Sequence, residues 1–254
     1  MQLCADIRDR LTSDEFLHFY EERKRFFQEK GEKILDEQIG EGREIFRNAH
    51  MVSKSSFLGG LESLLNHPED WRRDNHTPTF MDLGCSIGWV TAVAASYGWR
   101  TLGVEIDKGC AEAAKRTILN AQAEGLITQP DLATIIHGNF YPEGFDMGRL
   151  IEDPRKDPYQ SELQQGKILE PGDPVNYSQH GFNLAEVDIF YHFQVEPTSR
   201  LLSFFNQYAS RGSLFYLVAG MGEWDLKKIP DGISRLELSA KEFKEMAIEV
   251  FQKN

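Results

Sequence analysis

Cysteine is scarce in this chain. Only three of its 254 residues are cysteines, Cys4, Cys85 and Cys110, an odd number without the close spacing of a metal site. Disulfide frameworks need paired cysteines and an oxidising compartment. The count therefore excludes a disulfide-stapled scaffold and favours a reducing environment. The seven histidines are scattered, with no Cys or carboxylate partner at ligand spacing, so we predict no bound metal.

Long apolar runs are also missing. No segment approaches the roughly 20 apolar residues that span a bilayer. The first residues carry acids from Asp6 onward, where a signal peptide would have its apolar core. We therefore expect a soluble, cytoplasmic protein with no membrane partner.

Basic residues are too few to balance the acidic ones. The chain has 28 Lys and Arg against 40 Asp and Glu, a net charge of −12. Nucleic-acid binders need a basic face to displace counterions from phosphates. Nucleic acid is therefore disfavoured as the main partner, and a basic protein segment or a neutral small molecule fits the negative field better.

The chain is long enough for one full α/β core with an appendage. Over 1–75 a capping box from Thr12 to Glu15 precedes apolar residues at rough helical spacing, which predicts an N-terminal helical cap. This cap either packs on the core or covers its site. The remainder, 76–254, reads as the core domain.

Strand and helix patterns alternate in this second part. The alternation predicts an α/β fold with a doubly wound, mostly parallel sheet. The predicted strands are Phe80–Leu83, Thr101–Asp107, Leu132–Ile136, Val187–Phe193 and Ser213–Val218, and the predicted helices are Trp89–Tyr97, a helix from the Asp107 cap to about Glu124, and Leu201–Tyr208.

Two segments depart from a minimal alternating core. A polar insertion at 141–183 holds five of the ten prolines, and loops of this length are either functional lids or disordered. The tail after Gly220 contains a possible strand, Ser234–Leu238, and a predicted helix with Phe243, Met246, Ala247 and Val250 on one face. This short tail leaves open how the sheet is completed.

The most informative stretch is a strand, a glycine turn, a helix and a second strand over 78–107. Gly84 and Gly88 allow the backbone to approach a ligand, and the following helix offers free N–H groups to a carboxylate. Asp82 ends the first strand and can hold a cationic amine, while Glu105 ends the second and can accept ribose hydroxyls. Together these groups fit an amino-acid nucleoside such as S-adenosylmethionine (SAM).

A dinucleotide site needs Gly-x-Gly-x-x-Gly against its pyrophosphate. The turn here runs from Gly84 through Cys85, Ser86 and Ile87 to Gly88, so a third glycine is missing. Cys85 is interpreted as a small residue that fills space in the turn. A nicotinamide-dependent dehydrogenase is therefore the weaker alternative.

These residues resemble two motifs of the class I SAM-dependent methyltransferases. The pattern from Asp82 to Gly88 is similar to the first motif, with Ser86 in place of its middle glycine, and the stretch Gly103–Asp107 is similar to the second, acidic motif. The resemblance implies a seven-strand Rossmann-like fold with SAM as cofactor. It also implies that Ile106 flanks the adenine and that Asn139 and Phe140 meet its amino group and its face.

The end of the fourth predicted strand is the place for catalytic residues. It lacks the Asn/Asp-Pro-Pro-aromatic motif of methyltransferases that act on amide or base nitrogens. His192 is a candidate general base, and Tyr191 and Phe193 are candidate walls of a cage for an alkylammonium. The alternative for each of them is a structural role. The resemblance implies methyl transfer to an unidentified acceptor, either a protein lysine or a small molecule. The alternative is a catalytically inactive binding or regulatory protein with the same fold.

Overall fold

A computed structural model describes residues 77–96, 98–146, 172–193, 198–218, 229–236 and 248–254. The predicted cap over 1–75 and the middle of the predicted insertion lie outside these ranges.

Seven strands form one sheet in the order β3-β2-β1-β4-β5-β7-β6. Strands β1 to β5 are parallel to one another, while β7 is antiparallel to both β5 and β6. The strands are β1 (Thr79–Leu83), β2 (Arg100–Glu105), β3 (Ala133–His137), β4 (Ile189–Phe193), β5 (Leu214–Val218), β6 (Ile233–Leu236) and β7 (Ile248–Lys253). The predicted α/β class with a mostly parallel sheet is thus confirmed.

The central strands are buried on both faces because helices cover the sheet on both sides. Helices α1 (Trp89–Ser96) and α2 (Lys108–Ala123) contribute to one core cluster. Helix α3 (Thr198–Tyr208) contributes to the other, where Phe204 and Phe205 are fully buried. The sheet is therefore doubly wound, as predicted.

Helix α2 has the predicted start and stop. The Asp107 side chain caps the helix by accepting from the Cys110 backbone N–H at 3.1 Å. After the last helical residue, Gly125 adopts a left-handed φ of 71°, and its N–H donates to the Gln122 carbonyl at 3.0 Å. Both ends of α2 therefore lie where the sequence predicted them.

The tail differs from its prediction at one point. Val250 lies in β7 and pairs with Tyr216 of β5, so it does not belong to a helix. The fully buried Val250 and Phe251 follow each other on opposite faces of the sheet, a strand alternation that the helical reading missed. The antiparallel pair β6–β7 completes the sheet. Phe243, Met246 and Ala247 lie outside the described residues.

Both ends of the predicted polar insertion pack on the sheet. Tyr141 and Phe145 at one end, and Val175, Tyr177 and Phe182 at the other, are buried in the core cluster that includes α3. Residues 147–171 lie outside the described part. The ends of this segment are therefore core, although prolines and polar residues dominate its sequence.

Candidate functional site

The candidate site lies where the strand order reverses. From β1 the sheet continues through β2 and β3 on one side and through β4 and β5 on the other. Ligands of open α/β sheets bind beyond the carboxyl ends of the strands at such a switch point. The register pairs Leu83 at the end of β1 with His192 of β4. The predicted glycine turn and the predicted catalytic histidine therefore flank the same crevice.

The glycine turn is anchored to β2. The backbone N–H groups of Gly84 and Cys85 both donate to the Val104 carbonyl, at 2.9 and 3.0 Å, and Gly88 N–H donates to the Cys85 carbonyl at 2.8 Å. Gly84 and Gly88 adopt positive φ angles of 79° and 74°, which glycine reaches without steric cost. The turn is thus held closed by its own backbone.

The two glycines of the turn have different tasks. A Cβ at Gly88 would lie 2.9 Å from Ala114 Cβ, so this glycine makes room for α2. A Cβ at Gly84 would meet nothing closer than His192 Cε1 at 3.8 Å, and Gly84 is exposed. Of the two glycines, only Gly84 therefore leaves its backbone open to a ligand. The space beside Gly88 is filled by α2.

Ser86 replaces the middle glycine of the motif, and its backbone is in the left-handed region with φ 48°. A residue with a Cβ pays roughly 1 kcal/mol or more there. Its N–H donates to Glu105 Oε2 at 2.7 Å, which holds the residue in this conformation. Its Oγ is buried and has no hydrogen-bond partner among the described residues. The turn is therefore strained at the one position where the motif differs.

Asp82 lies deep beneath the turn and is only 2% exposed. Its Oδ2 accepts a hydrogen bond from Thr91 Oγ1 of α1 at 2.9 Å. Desolvation by burial raises the pKa of Asp82 from 3.8 to about 7, against the opposing effect of the Thr91 hydrogen bond. A cation next to this carboxylate would lower its pKa again, which is what its predicted partner, an ammonium, would do.

Glu105 joins the turn to the start of α2. One carboxylate oxygen accepts from Ser86 N–H at 2.7 Å and the other from Asp107 N–H at 3.0 Å. Burial is the largest effect on Glu105 and raises its pKa, although these backbone donors oppose it. The Ile106 backbone also contributes, and because a carboxylate has about four acceptor positions in all, at least one remains for a ribose hydroxyl.

Asn139 and Phe140 follow β3 and are half-buried. The Asn139 side-chain oxygen accepts from Tyr141 N–H at 3.0 Å, and the Phe140 carbonyl accepts from the Tyr177 hydroxyl at 2.5 Å. The Phe140 ring lies with its centroid 5.7 Å from that of His192. Phe140 thus lines the space between the ends of β3 and β4.

The segment after the undescribed part of the insertion covers the end of β3. Gly172 N–H donates to the Ile106 carbonyl at 2.9 Å, and Asn139 N–H donates to the Asp173 carbonyl at 2.8 Å. A Cβ at Gly172 would lie 2.5 Å from Gly138 Cα, so two glycines allow this close approach. The segment fixes the backbone of Ile106 and Asn139, the two residues that the motif resemblance places beside an adenine.

His192 is 1% exposed, and its Nδ1 lies 2.5 Å from the Leu83 carbonyl. A carbonyl only accepts, so Nδ1 carries the proton and Nε2 is an acceptor. Nε2 has no partner among the described residues. Burial lowers the pKa of His192 from 6.5 to about 4, and the Leu83 hydrogen bond only partly opposes it. The ring is therefore neutral at physiological pH.

Tyr191 and His192 point to opposite faces of β4. The Tyr191 ring stacks on Phe80, at a centroid distance of 6.0 Å, in the core beside α1 and α2. Cys85 is buried as well, and burial raises the pKa of its thiol well above 9. Its thiol is thus protonated at neutral pH. Neither side chain converges with His192 on one point.

Two residues of the site have packing roles that the motifs did not indicate. Gly103 of β2 gives room to Thr91 and Cys85, because a Cβ there would lie 2.8 Å from Thr91 Oγ1 and 2.9 Å from Cys85 Sγ. Thr91 in turn holds Asp82. The sequence has a threonine three residues after the turn and a glycine in β2. Their relation could not be predicted, because it depends on how α1 packs on β2.

No protein-family model matches the sequence, and no curated protein matches it. Partial structural similarity is found with MtNAS in complex with MTA and tNA, at 14% identity over 96% of this chain and 79% of that chain with a TM-score of 0.47. An RNA methyltransferase from Salinibacter ruber in complex with S-adenosyl-L-homocysteine has 17% identity over 69% and 79% of the two chains, with a TM-score of 0.36. A SAM-dependent methyltransferase from Neisseria gonorrhoeae has 16% identity over 80% and 69%, with a TM-score of 0.43.

The strand order defines the fold class by itself. Five parallel strands followed by an antiparallel pair, doubly wound with helices, form the seven-strand α/β fold that the motif resemblance implied. Among the described residues, no helix is long and apolar enough to cross a membrane. The same part of the chain has no group of three or more His, Cys, Asp or Glu that could hold a metal ion.

Proposed function

We propose that the protein is a SAM-dependent methyltransferase. The observation that carries the proposal is the convergence of Asp82, Gly84, Glu105 and Phe140 on the carboxyl ends of β1, β2 and β3, beside the switch point. An amino-acid nucleoside needs four groups in its site. These are a carboxylate for the ammonium, an open backbone, a carboxylate for the ribose and an aromatic wall. S-adenosylmethionine has all the matching groups.

Each residue has a specific task in this proposal. Asp82 holds the ammonium of the methionine part, and the turn from Gly84 through Cys85 and Ser86 to Gly88 passes along it. Glu105 accepts from the ribose through the acceptor capacity that its backbone donors leave. Ile106, Asn139 and Phe140 surround the adenine. The sulfonium methyl then lies near the end of β4, where His192 is.

Methyl transfer from a sulfonium depends mainly on in-line positioning. The nucleophile of the acceptor attacks the methyl carbon, and the departing thioether carries no charge, so no acid is needed for the leaving group. The acceptor is a protein lysine or a small molecule. The negative charge of the chain, −12, favours an acceptor that is basic or neutral over an acidic one.

A catalytically inactive binding protein is the second candidate. It is favoured by the end of β4, where the sequence has no Asn/Asp-Pro-Pro-aromatic motif. Such a protein would bind SAM without turnover. Incubation with methyl-labelled SAM and cell extract separates the two, because label in a product that does not form when the protein is left out excludes the inactive alternative.

Calorimetry with S-adenosylhomocysteine (SAH) tests the proposed cofactor. We expect wild type to bind SAH with micromolar affinity and Gly84→Arg to bind none, because the large side chain fills the open side of the turn. The control is Gly98→Arg, at a glycine with similar φ, 82°, and nothing within 4 Å of its Cβ position. Absence of SAH binding to wild type would refute the proposal.

A further inference from the structure

Ser86 is unfavourable in two ways at its place in the glycine turn. Its backbone has a φ of 48°, in the left-handed region that favours glycine. Its side-chain Oγ is buried and has no hydrogen-bond partner in the described part of the chain. A glycine would avoid both disadvantages. Strained backbone and unpaired buried polar atoms are typical of sites where a ligand binds, so both observations point to a ligand that uses the hydroxyl.

The backbone of Ser86 determines where its hydroxyl can reach. Ser86 N–H donates to Glu105 Oε2 at 2.7 Å. Covalent geometry keeps Oγ within about 4 Å of that nitrogen in every rotamer. The hydroxyl therefore stays beside the Glu105 carboxylate, which is the group proposed to accept from the ribose. A ribose hydroxyl that is bound to Glu105 lies within reach of Ser86 Oγ.

Rotation about one bond brings the hydroxyl to a ligand. Ser86 as a whole is half-buried although its Oγ is shielded, and the nearby Gly84 is exposed. A change between staggered χ1 rotamers moves Oγ by about 2 Å without moving the backbone. The bond from Ser86 N–H to Glu105 is therefore kept while the hydroxyl turns toward the open side of the turn.

The charge beside Ser86 favours a neutral ligand group over an anionic one. Glu105 is a carboxylate that is only 5% exposed, so it would repel a carboxylate of the ligand placed next to it. The Ser86 N–H could offset this repulsion, but it is already bonded to Glu105. A ribose hydroxyl has no charge and meets no such repulsion. The ribose is thus a better partner for Ser86 Oγ than the methionine carboxylate of SAM.

We propose that the Ser86 hydroxyl donates to a ribose hydroxyl of SAM, the same hydroxyl that donates its own proton to Glu105. This ribose oxygen then has both a donor and an acceptor from the protein. The inference rests on the proposed function and adds a residue that selects the ribose of the cofactor. The serine at the position of the motif's middle glycine thereby contacts the ligand through its side chain.

A thermodynamic cycle between the side chain and the ribose tests the proposal. Calorimetry measures the affinity of wild type and Ser86→Ala for SAH, 2′-deoxy-SAH and 3′-deoxy-SAH. Ser86→Ala keeps the Cβ and removes only the hydroxyl, so it should bind SAH about tenfold more weakly than wild type does. With at least one deoxy analogue, the one that lacks the bonded hydroxyl, the two proteins should agree within about twofold.

5′-Methylthioadenosine separates the ribose from the methionine carboxylate. This analogue keeps the ribose and the adenine but has neither a carboxylate nor an ammonium. The loss in Ser86→Ala should remain about tenfold with it. If the loss disappears with 5′-methylthioadenosine and persists with both deoxy analogues, the hydroxyl bonds to the carboxylate and the ribose assignment is overturned.

Two further variants control for the fold. Ser86→Gly also lacks the hydroxyl but relieves the left-handed strain, so it should be folded and show the same loss of SAH affinity as Ser86→Ala. Ser96→Ala removes a hydroxyl at the other end of α1, where Oγ donates to the Val93 carbonyl at 2.7 Å, and should leave SAH affinity unchanged.

Two results would overturn the inference while the proposed function stands. One is an SAH affinity of Ser86→Ala and Ser86→Gly equal to that of wild type, because the hydroxyl would then have no part in binding. The other is an equal loss with SAH and both deoxy analogues, because the hydroxyl would then not act through the ribose. If wild type does not bind SAH at all, the proposed function itself has failed.

Discussion

The two halves of the sheet edge differ in how their polar groups are satisfied. On the side of β1, β2 and β3, Glu105 has a backbone donor on each oxygen, and Asp82 holds the Thr91 hydroxyl. On the side of β4 and β7, His192 and Glu249 each keep one buried atom without a partner among the described residues. The first half is preorganised by its own bonds, whereas two acceptor atoms of the second half have no donor within the described part of the chain. The difference agrees with the proposal that the cofactor binds on the side of β1, β2 and β3, where the polar groups are already held in place.

The largest expected effect is that of Asp82→Asn, which should raise the stability of the protein while it weakens SAH binding. Its folded pKa, about 7, exceeds the ordinary 3.8, so the fold favours the protonated carboxyl. Its destabilising effect is absent below pH 3.8, grows as the pH rises toward 7 and is constant above. The free energy of unfolding of Asp82→Asn should therefore exceed that of wild type at pH 8 by up to about 4 kcal/mol more than it does at pH 3.5. Urea unfolding of both proteins at several pH values measures this gain.

The same substitution should weaken SAH binding, because the amide cannot pair with an ammonium. A variant that is more stable and also binds SAH as tightly as wild type would contradict the assignment of Asp82 to the cofactor side. Thr91→Ser, which keeps the hydroxyl that Asp82 accepts from, is the control and should leave SAH affinity nearly unchanged.

Glu105→Gln is expected to have the next largest effect, a loss of about 100-fold in SAH affinity, or about 3 kcal/mol. The amide keeps one acceptor oxygen, so it cannot serve the Ser86 and Asp107 backbone donors together. Calorimetry against Glu124→Gln, an exposed glutamate that follows α2, measures the loss. Equal affinities would show that the ribose assignment is wrong.

Gly103→Ala tests the packing beneath the cofactor side. The new Cβ would lie 2.7 Å from Ile135 Cδ1 and 2.8 Å from Thr91 Oγ1, both well inside contact distance. Overpacking of this kind costs about 2 kcal/mol in the free energy of unfolding. The variant should also bind SAH less tightly, because Thr91 moves and releases Asp82. Unchanged stability in urea would mean that this interior is looser than the distances indicate.

Ser86→Gly should have the smallest effect on stability. Glycine reaches φ 48° without a Cβ penalty, and the hydrogen bond to Glu105 comes from the backbone, so it is kept. We expect the free energy of unfolding, measured by heat or urea, to rise by about 0.5–1 kcal/mol. The greater entropy of the unfolded chain keeps this gain small. A loss of stability would show that the buried Ser86 hydroxyl has a role that its environment does not reveal.

Periodicity and capping residues predicted the parallel strands and α2 to within two residues at most ends. These features depend on local rules, such as Asp107 before the helix and Gly125 after it. The final strand was misread because Val250 and its neighbours also fit a helical face, and only pairing with β5 decides between the two. The ends of the polar insertion were missed for a similar reason, since Tyr141 and Tyr177 are isolated apolar residues among prolines.

Motif residues of the candidate site were also found from sequence, but their surroundings were not. The sequence indicated Asp82 and Glu105 as acids at strand ends, whereas Thr91 and Gly103 matter only because α1 packs on β2. The placement of His192 and Glu249 on either side of Leu217 depends on register across three strands, with over 50 residues between the two. No local pattern carries that information.

The most direct test of the central claim is SAH calorimetry on Gly84→Ala and Gly98→Ala. Both glycines have φ near 80° and no close neighbour at the Cβ position, so the two substitutions introduce the same strain, about 1 kcal/mol. If SAM binds along the turn, Gly84→Ala should lose about tenfold or more in SAH affinity while Gly98→Ala keeps the wild-type value. Equal SAH affinities in the two variants would contradict the account.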